Sequence, residues 1–103
     1  MVAVTVSEQR EIAIARANEI RLARSDLKRD VRAGRRRFPD VLADPPDFAL
    51  GMRVFDLVLC LPQVGRYTAT RAFTKAGVSQ SRTFGGMTPH ERERLLERLG
   101  PRA

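Results

Sequence analysis

The side chains with the most chemistry to offer in this sequence are guanidinium groups and hydroxyls set beside glycine turns. In LPQVGRYTATRAF, Leu61 to Phe73, a proline and a glycine interrupt the chain just before Arg66, Tyr67, Thr68, Thr70 and Arg71. Pro62 stiffens the approach, and Gly65 removes a side chain where the backbone can come close to another group. A helix beginning at Arg66 presents free N–H groups carrying partial positive charge, for which phosphate is a natural ligand. Arg66 is a poor choice for an isolated helix start but a sensible one where an anion is bound. A plain turn between two packed helices accounts for the same residues. A second stretch, GVSQSRTFGGM from Gly77 to Met87, holds Ser81, Arg82, Thr83, Gly85 and Gly86 ahead of another helix.

Other reactive groups stand alone. His90 has no second His or Cys at ligand spacing, so it reads as a solvated surface residue. Tyr67 lacks the assembled arginine and histidine site that a tyrosine nucleophile needs, and a packing or phosphate-contacting role suits it better. Asp40, Asp44, Asp47 and Asp56 have neither phosphate-loop nor calcium-loop spacing around them. The single cysteine, Cys60, excludes an intrachain disulfide and a multi-cysteine zinc site, and its setting in LVLCLP reads as a buried small hydrophobe in a reducing compartment. No catalytic constellation emerges, and the expectation is a binding module with no metal, cofactor or small-molecule substrate.

Composition indicates what such a module would bind. The chain has 103 residues, 19 Lys and Arg against 12 Asp and Glu, and a net charge of +7, which favours a polyanion, with nucleic acid the first candidate. Residues 1–37 carry ten basic and five acidic groups, residues 38–61 one and four, and residues 62–103 eight and three, so the two ends are basic and the middle is not. Phe55, Phe73 and Phe84 read as core, leaving too few aromatics for a base-stacking platform and arguing against single-strand recognition. The longest apolar run, Leu57 to Pro62, is too short to span a bilayer, and the start MVAVTVSEQR lacks signal-peptide character, so a cytoplasmic protein is expected.

The elements that must position these groups are helical. Thr5 and Glu8 stand at capping-box spacing, and nothing breaks the helix that follows until Gly34. On it Ile20, Ala23, Leu27 and Val31 share one face, while Arg21, Arg24, Lys28, Arg32 and Arg35 form a second stripe that meets solvent or a ligand. Pro39 opens a short helix to Ala43, and Pro45-Pro46 ends it. MRVFDLVLCL, Met52 to Leu61, keeps helical spacing at Val54, Leu57, Val58 and Leu61 and is read as one helix. The next runs from Arg66 to Ala76 with Gly77 as its stop and Ala69, Ala72, Phe73 and Ala76 as its apolar face. In TPHERERLLERLG, Thr88 caps, Pro89 takes the first position, Glu91 completes the capping box and Gly100 terminates. The fold class is all-α: a long basic N-terminal helical arm, residues 1–37, followed by a compact domain, residues 38–103, whose two glycine turns flanking helices resemble a helix-two-turn-helix module.

Taken together, EQR at Glu8–Arg10, DLK at Asp26–Lys28, LGMRV at Leu50–Val54, LPQVGR at Leu61–Arg66, Ala69, SR at Ser81-Arg82 and ERLLERLG at Glu93–Gly100 resemble the actinobacterial integration host factor family in order and spacing. That resemblance spans almost the whole chain. It implies a nucleoid-associated protein that binds double-stranded DNA through phosphate contacts with little sequence preference, bending or compacting it; a monomer is expected. By the same resemblance Gly65 and Arg66 match the family's glycine turn and basic residue, and Arg82 matches the first arginine of a basic cluster in the second turn. Thr68, Thr83 and Gly85 stand where relatives carry further basic residues, and each lost charge lowers affinity and its salt dependence. The expected interface comprises Arg21, Arg24 and Lys28 on the arm, then Gly65, Arg66, Thr68, Arg71 and Lys75, then Ser81, Arg82, Thr83, Gly85 and Gly86. The rival reading is an RNA-binding helix-two-turn-helix protein, because phosphate gripping does not by itself separate DNA from RNA.

Overall fold

The computed structural model describes residues 5–103. Its long first helix, α1 (Val6–Arg32), starts at a complete capping box: Thr5 Oγ1 accepts from the Glu8 amide at 3.1 Å, and Glu8 Oε2 accepts from the Thr5 amide at 3.3 Å. It stops at Gly34, whose φ of 77° is the left-handed conformation that glycine adopts without penalty. There the Arg35 amide donates to Asp30 O and the Gly34 amide to Val31 O, the paired bonds of a Schellman close.

Five α-helices follow one another along the described chain: α1, α2 (Phe38–Ala43), α3 (Val54–Val58), α4 (Arg66–Ala76) and α5 (Pro89–Leu99). Among the described residues the nearest approach to a sheet is one antiparallel bridge between Arg53 and Thr83. The core draws Leu27 and Val31 from α1, Phe38, Val41 and Leu42 from α2, Val54, Leu57 and Val58 from α3, and Leu95 and Leu99 from α5. From α4 come Ala69, Ala72 and Ala76, and α4 packs against α5 through this shallow face. Phe55 and Phe73 meet edge to face at 5.1 Å, and Phe84 is fully buried with them in the core.

One predicted element is shorter than its pattern. The helix expected over Met52–Leu61 is helical only from Val54 to Val58. At its front, Met52 and Arg53 are pulled straight by the second turn: the Val54 amide donates to Arg82 O and the Phe84 amide to Met52 O, both at 3.0 Å. At its back, Pro62 disfavours helix in the residue before it, and Leu57 to Val64 descends through three-residue turns.

The molecule measures 54 × 26 × 22 Å, with a radius of gyration of 16.4 Å, against about 13 Å for a compact 100-residue domain. The excess is α1. Its 27 residues extend about 40 Å at about 1.5 Å per residue. Everything from Val6 to Leu22 is exposed, while Leu27 and Val31 are buried. No described helix is long and apolar enough to cross a membrane.

Candidate nucleic-acid interface

The first turn is open. Buried Val64 anchors it, and Gly65 then takes the N-cap position of α4 in ordinary extended backbone, φ −88° and ψ 175°. A Cβ built on Gly65 meets nothing within 4 Å, so no packing inside the chain demands glycine there. The Ala69 amide is the first to reach back, to Gly65 O at 2.9 Å. By helix geometry the amides ahead of it have no intrahelical acceptor, and no side chain caps them. Both α1 and α5, by contrast, begin with full capping boxes. The first turn of α4 contains Arg66 and no acidic residue, and Arg66 forms no ion pair among the described residues.

The second turn is closed. The fold itself uses its Ser81, Arg82, Phe84, Gly85 and Gly86 amides. The Gly85 amide donates to Leu50 O at 2.9 Å, and the Gly86 amide is shared between Thr83 O at 3.1 Å and Thr83 Oγ1 at 3.2 Å. The Ser81 amide donates to Ser79 Oγ and the Arg82 amide to Ser79 O. A Cβ on Gly85 would lie 3.2 Å from Leu50 O, a tight contact with backbone inside the protein. What remains to face outward is a shallow groove of about 340 Å³ lined by Ser79, Ser81, Arg82, Thr83 and Gly86.

Arg82 is itself half engaged. Its Nε lies 3.2 Å from Glu91 Oε2, and the Glu91 side chain is only 9% exposed. The other oxygen, Glu91 Oε1, accepts from the Thr88 amide at 3.0 Å, and the Glu91 amide donates to Thr88 Oγ1. The Thr88 amide, then the Thr88 hydroxyl and the Arg82 guanidinium, hold the Glu91 carboxyl below the ordinary carboxylate range, against the opposing effect of burial. Arg82 therefore pins the start of α5 to the second turn with one edge of its guanidinium.

On the arm, Arg21, Arg24 and Lys28 line an open groove of about 530 Å³ with Ala17, Ile20 and Ser25. One edge of Arg24 is used within the chain: its Nε donates to Phe48 O at 2.9 Å, fastening α1 to the domain. Arg21 reaches Asn18 on its own helix. Farther along the stripe Arg35 pairs with Asp30 at 2.9 Å and Arg32 approaches the Cys60 sulfur, so the five arginines and lysines do not form one free surface.

Thr68, Arg71 and Lys75 lie on the outer face of α4 and line a fourth feature, a groove of about 340 Å³ shared with Tyr67, Ala72, Arg98 and Arg102. Tyr67 is 73% exposed, which removes the packing role, and Arg71 sits over its ring at 5.7 Å with Nη1 3.4 Å from the hydroxyl. Arg98 and Arg102 escaped the sequence reading. Nothing in linear spacing ties them to Arg71 and Lys75; only the packing of α4 on α5 brings them together.

Residues 31–99 match the S13-like H2TH domain family, a helix-two-turn-helix unit. The chain is also similar to the integration host factor of Mycobacterium tuberculosis, 35% identical over 95 residues and 90% of each chain. The chain belongs to the integration host factor family and carries an S13-like H2TH domain. The integration host factor of Mycolicibacterium smegmatis is 34% identical over 94 residues, covering 89% of this chain and 90% of that one. A solved structure of sIHF bound to an 8-base-pair palindromic DNA shares the fold, with a TM-score of 0.75 at 24% identity over 84% of this chain and 99% of that chain. The two glycine turns at Leu61–Arg66 and Ser79–Gly86 both lie within the matched residues. They differ in kind, one open at a bare helix start and the other locked by internal hydrogen bonds.

Proposed function

We propose that this protein is an architectural, nucleoid-associated DNA-binding protein of the cytoplasm, acting as a monomer on double-stranded DNA and catalysing no reaction. Its contacts are chiefly to phosphates, with little sequence preference. The observation that carries this reading is the uncapped start of α4, where Gly65 leaves open space and Arg66 has no anionic partner among the described residues. Family membership supports it: the relatives are named integration host factors, and the solved neighbour of the same fold is a complex with DNA.

In this reading the amides ahead of Ala69 and the Arg66 guanidinium hold one phosphate, while Ser81, the free edge of Arg82 and Thr83 approach the backbone at the second turn. Arg21 and Lys28 on the arm add charge alongside. Arm and domain gripping separate stretches of one duplex would bend it, the added contacts offsetting an elastic cost of about 1–6 kcal/mol.

The test is a salt titration of duplex binding. Arg66→Ala should weaken binding to every sequence tried and flatten the slope of log K against log salt by about 0.9, the share of one phosphate contact. An unchanged slope removes the assigned site. Structured RNA retained more tightly than duplex DNA at equal salt would replace DNA with RNA as the partner.

A further inference from the structure

Along the outer face of α4 runs a groove lined by Thr68 and Ala72 of that helix and closed on its far side by α5 and the C-terminal turn that follows it. Arg71 and Lys75 project from one side, Arg98 and Arg102 from the other, and Tyr67 lies at the end nearest the first turn. Its lining contains no acidic side chain, and none of these four cations forms an ion pair among the described residues. Four like charges around one groove repel each other in the free protein, a cost that an anion lying between them removes.

Cations near helix C-termini have an ordinary structural use, since they complement the helix dipole. That use fits Lys75 and Arg98, which lie in the last turns of α4 and α5, but not Arg71. The α4 carbonyl end is already served by Arg94, whose Nε donates to Ala76 O at 2.8 Å from outside the groove. Arg71 lies mid-helix, held over Tyr67 rather than over any carbonyl.

We infer that this groove is a second phosphate-binding track, in which Arg98 and Arg102 face Arg71 and Lys75 across a nucleic-acid backbone continuing from the first turn along α4. The inference rests on the DNA-binding reading above. From Tyr67 to Lys75 the helix advances roughly 12 Å at about 1.5 Å per residue, long enough to run beside more than one phosphate of a strand. The ligand class is thus a phosphodiester backbone. The exposed Tyr67 ring under Arg71 offers a flat apolar surface to the sugar edge at the point where the strand leaves the first turn.

The experiment compares Arg98→Ala and Arg102→Ala with Arg29→Ala, which removes the same charge from a cation already paired with Asp26, in salt titrations on one duplex beside Arg66→Ala. Each groove variant should lower affinity several-fold at low salt and flatten the slope by about 0.9, with thermal midpoints unchanged, while Arg29→Ala barely moves either. Groove variants indistinguishable from Arg29→Ala overturn the inference while leaving the DNA reading intact if Arg66→Ala still loses affinity. Failure of the unaltered protein to bind duplex, or of Arg66→Ala to weaken it, overturns the reading itself. A groove serving a free polyphosphate would bind inorganic tripolyphosphate tightly yet leave the duplex slopes of both variants at the control value, and that result also overturns the inference.

Discussion

Gly65 and Gly85 look alike in the sequence, each a glycine in a turn before a helix, and the structure gives them opposite meanings. Gly65 has open space where a Cβ would go, whereas at Gly85 the space is filled by the Leu50 carbonyl that accepts the Gly85 amide. Gly65→Ala should therefore fold almost as well as the parent, losing no more than about 1 kcal/mol of helix capping, yet bind duplex more weakly because the new methyl stands where a phosphate approaches. Gly85→Ala should do the reverse, lowering the thermal midpoint through a strained backbone contact worth about 1–3 kcal/mol. Chemical denaturation and duplex titration on both variants check this, and a Gly65→Ala protein with undiminished binding contradicts the assigned role. Glu91 provides the pH dependence at this scale. Its folded-state pKa is depressed by the Thr88 and Arg82 contacts, so its stabilising contribution is complete above its unfolded value of about 4.5 and disappears as pH falls through the lower folded value. Glu91→Gln keeps a capping-box acceptor but cannot ionise. Its thermal midpoint should fall less than that of the parent between pH 6 and pH 3, and parallel curves would show that the carboxylate contributes nothing.

Elements differ in what holds them. α4 and α5 are short, but each buries one face in the common core. α1 has a good cap and helix-forming residues, yet from Val6 to Leu22 it is exposed, with Ile12, Ile14 and Leu22 among its uncovered side chains. An isolated helical stretch of that length is marginal in water. Native-state hydrogen exchange should therefore show amides of the first half of α1 exchanging orders of magnitude faster than those near Leu27 and Val31. Saturating duplex should slow them if the arm lies on DNA; an arm already as protected as α5 in the free protein would contradict this account.

At the scale of the whole molecule the arm and the domain are one body, because Leu27 and Val31 enter the core and Arg24 bonds Phe48 O across the junction. A long lever fixed in this way can hold two stretches of duplex at a set angle, which a loosely tethered arm could not. Most of the architecture was legible in the sequence because its signals are local. The Thr5–Glu8 and Thr88–Glu91 capping boxes, the stops at Gly34 and Gly77, and the alanine face of α4 each need only neighbours within a few residues. The Met52–Leu61 stretch was misjudged because its front end is claimed by Arg82 and Phe84, some thirty residues away.

The order of residues alone thus determined where helices begin and end, which faces are apolar, and that the chain carries excess positive charge at both ends; these follow from capping chemistry, periodicity and counting. Only the tertiary structure decided which polar groups are free. The Gly85 amide, given to Leu50 O, and one edge of Arg24, given to Phe48 O, are taken up by partners distant in sequence. Arg98 and Arg102 are brought to face α4 only by helix packing. A hydrogen-bonding group is available to a ligand only if the fold has not already used it, and that depends on long-range neighbours that no local pattern records.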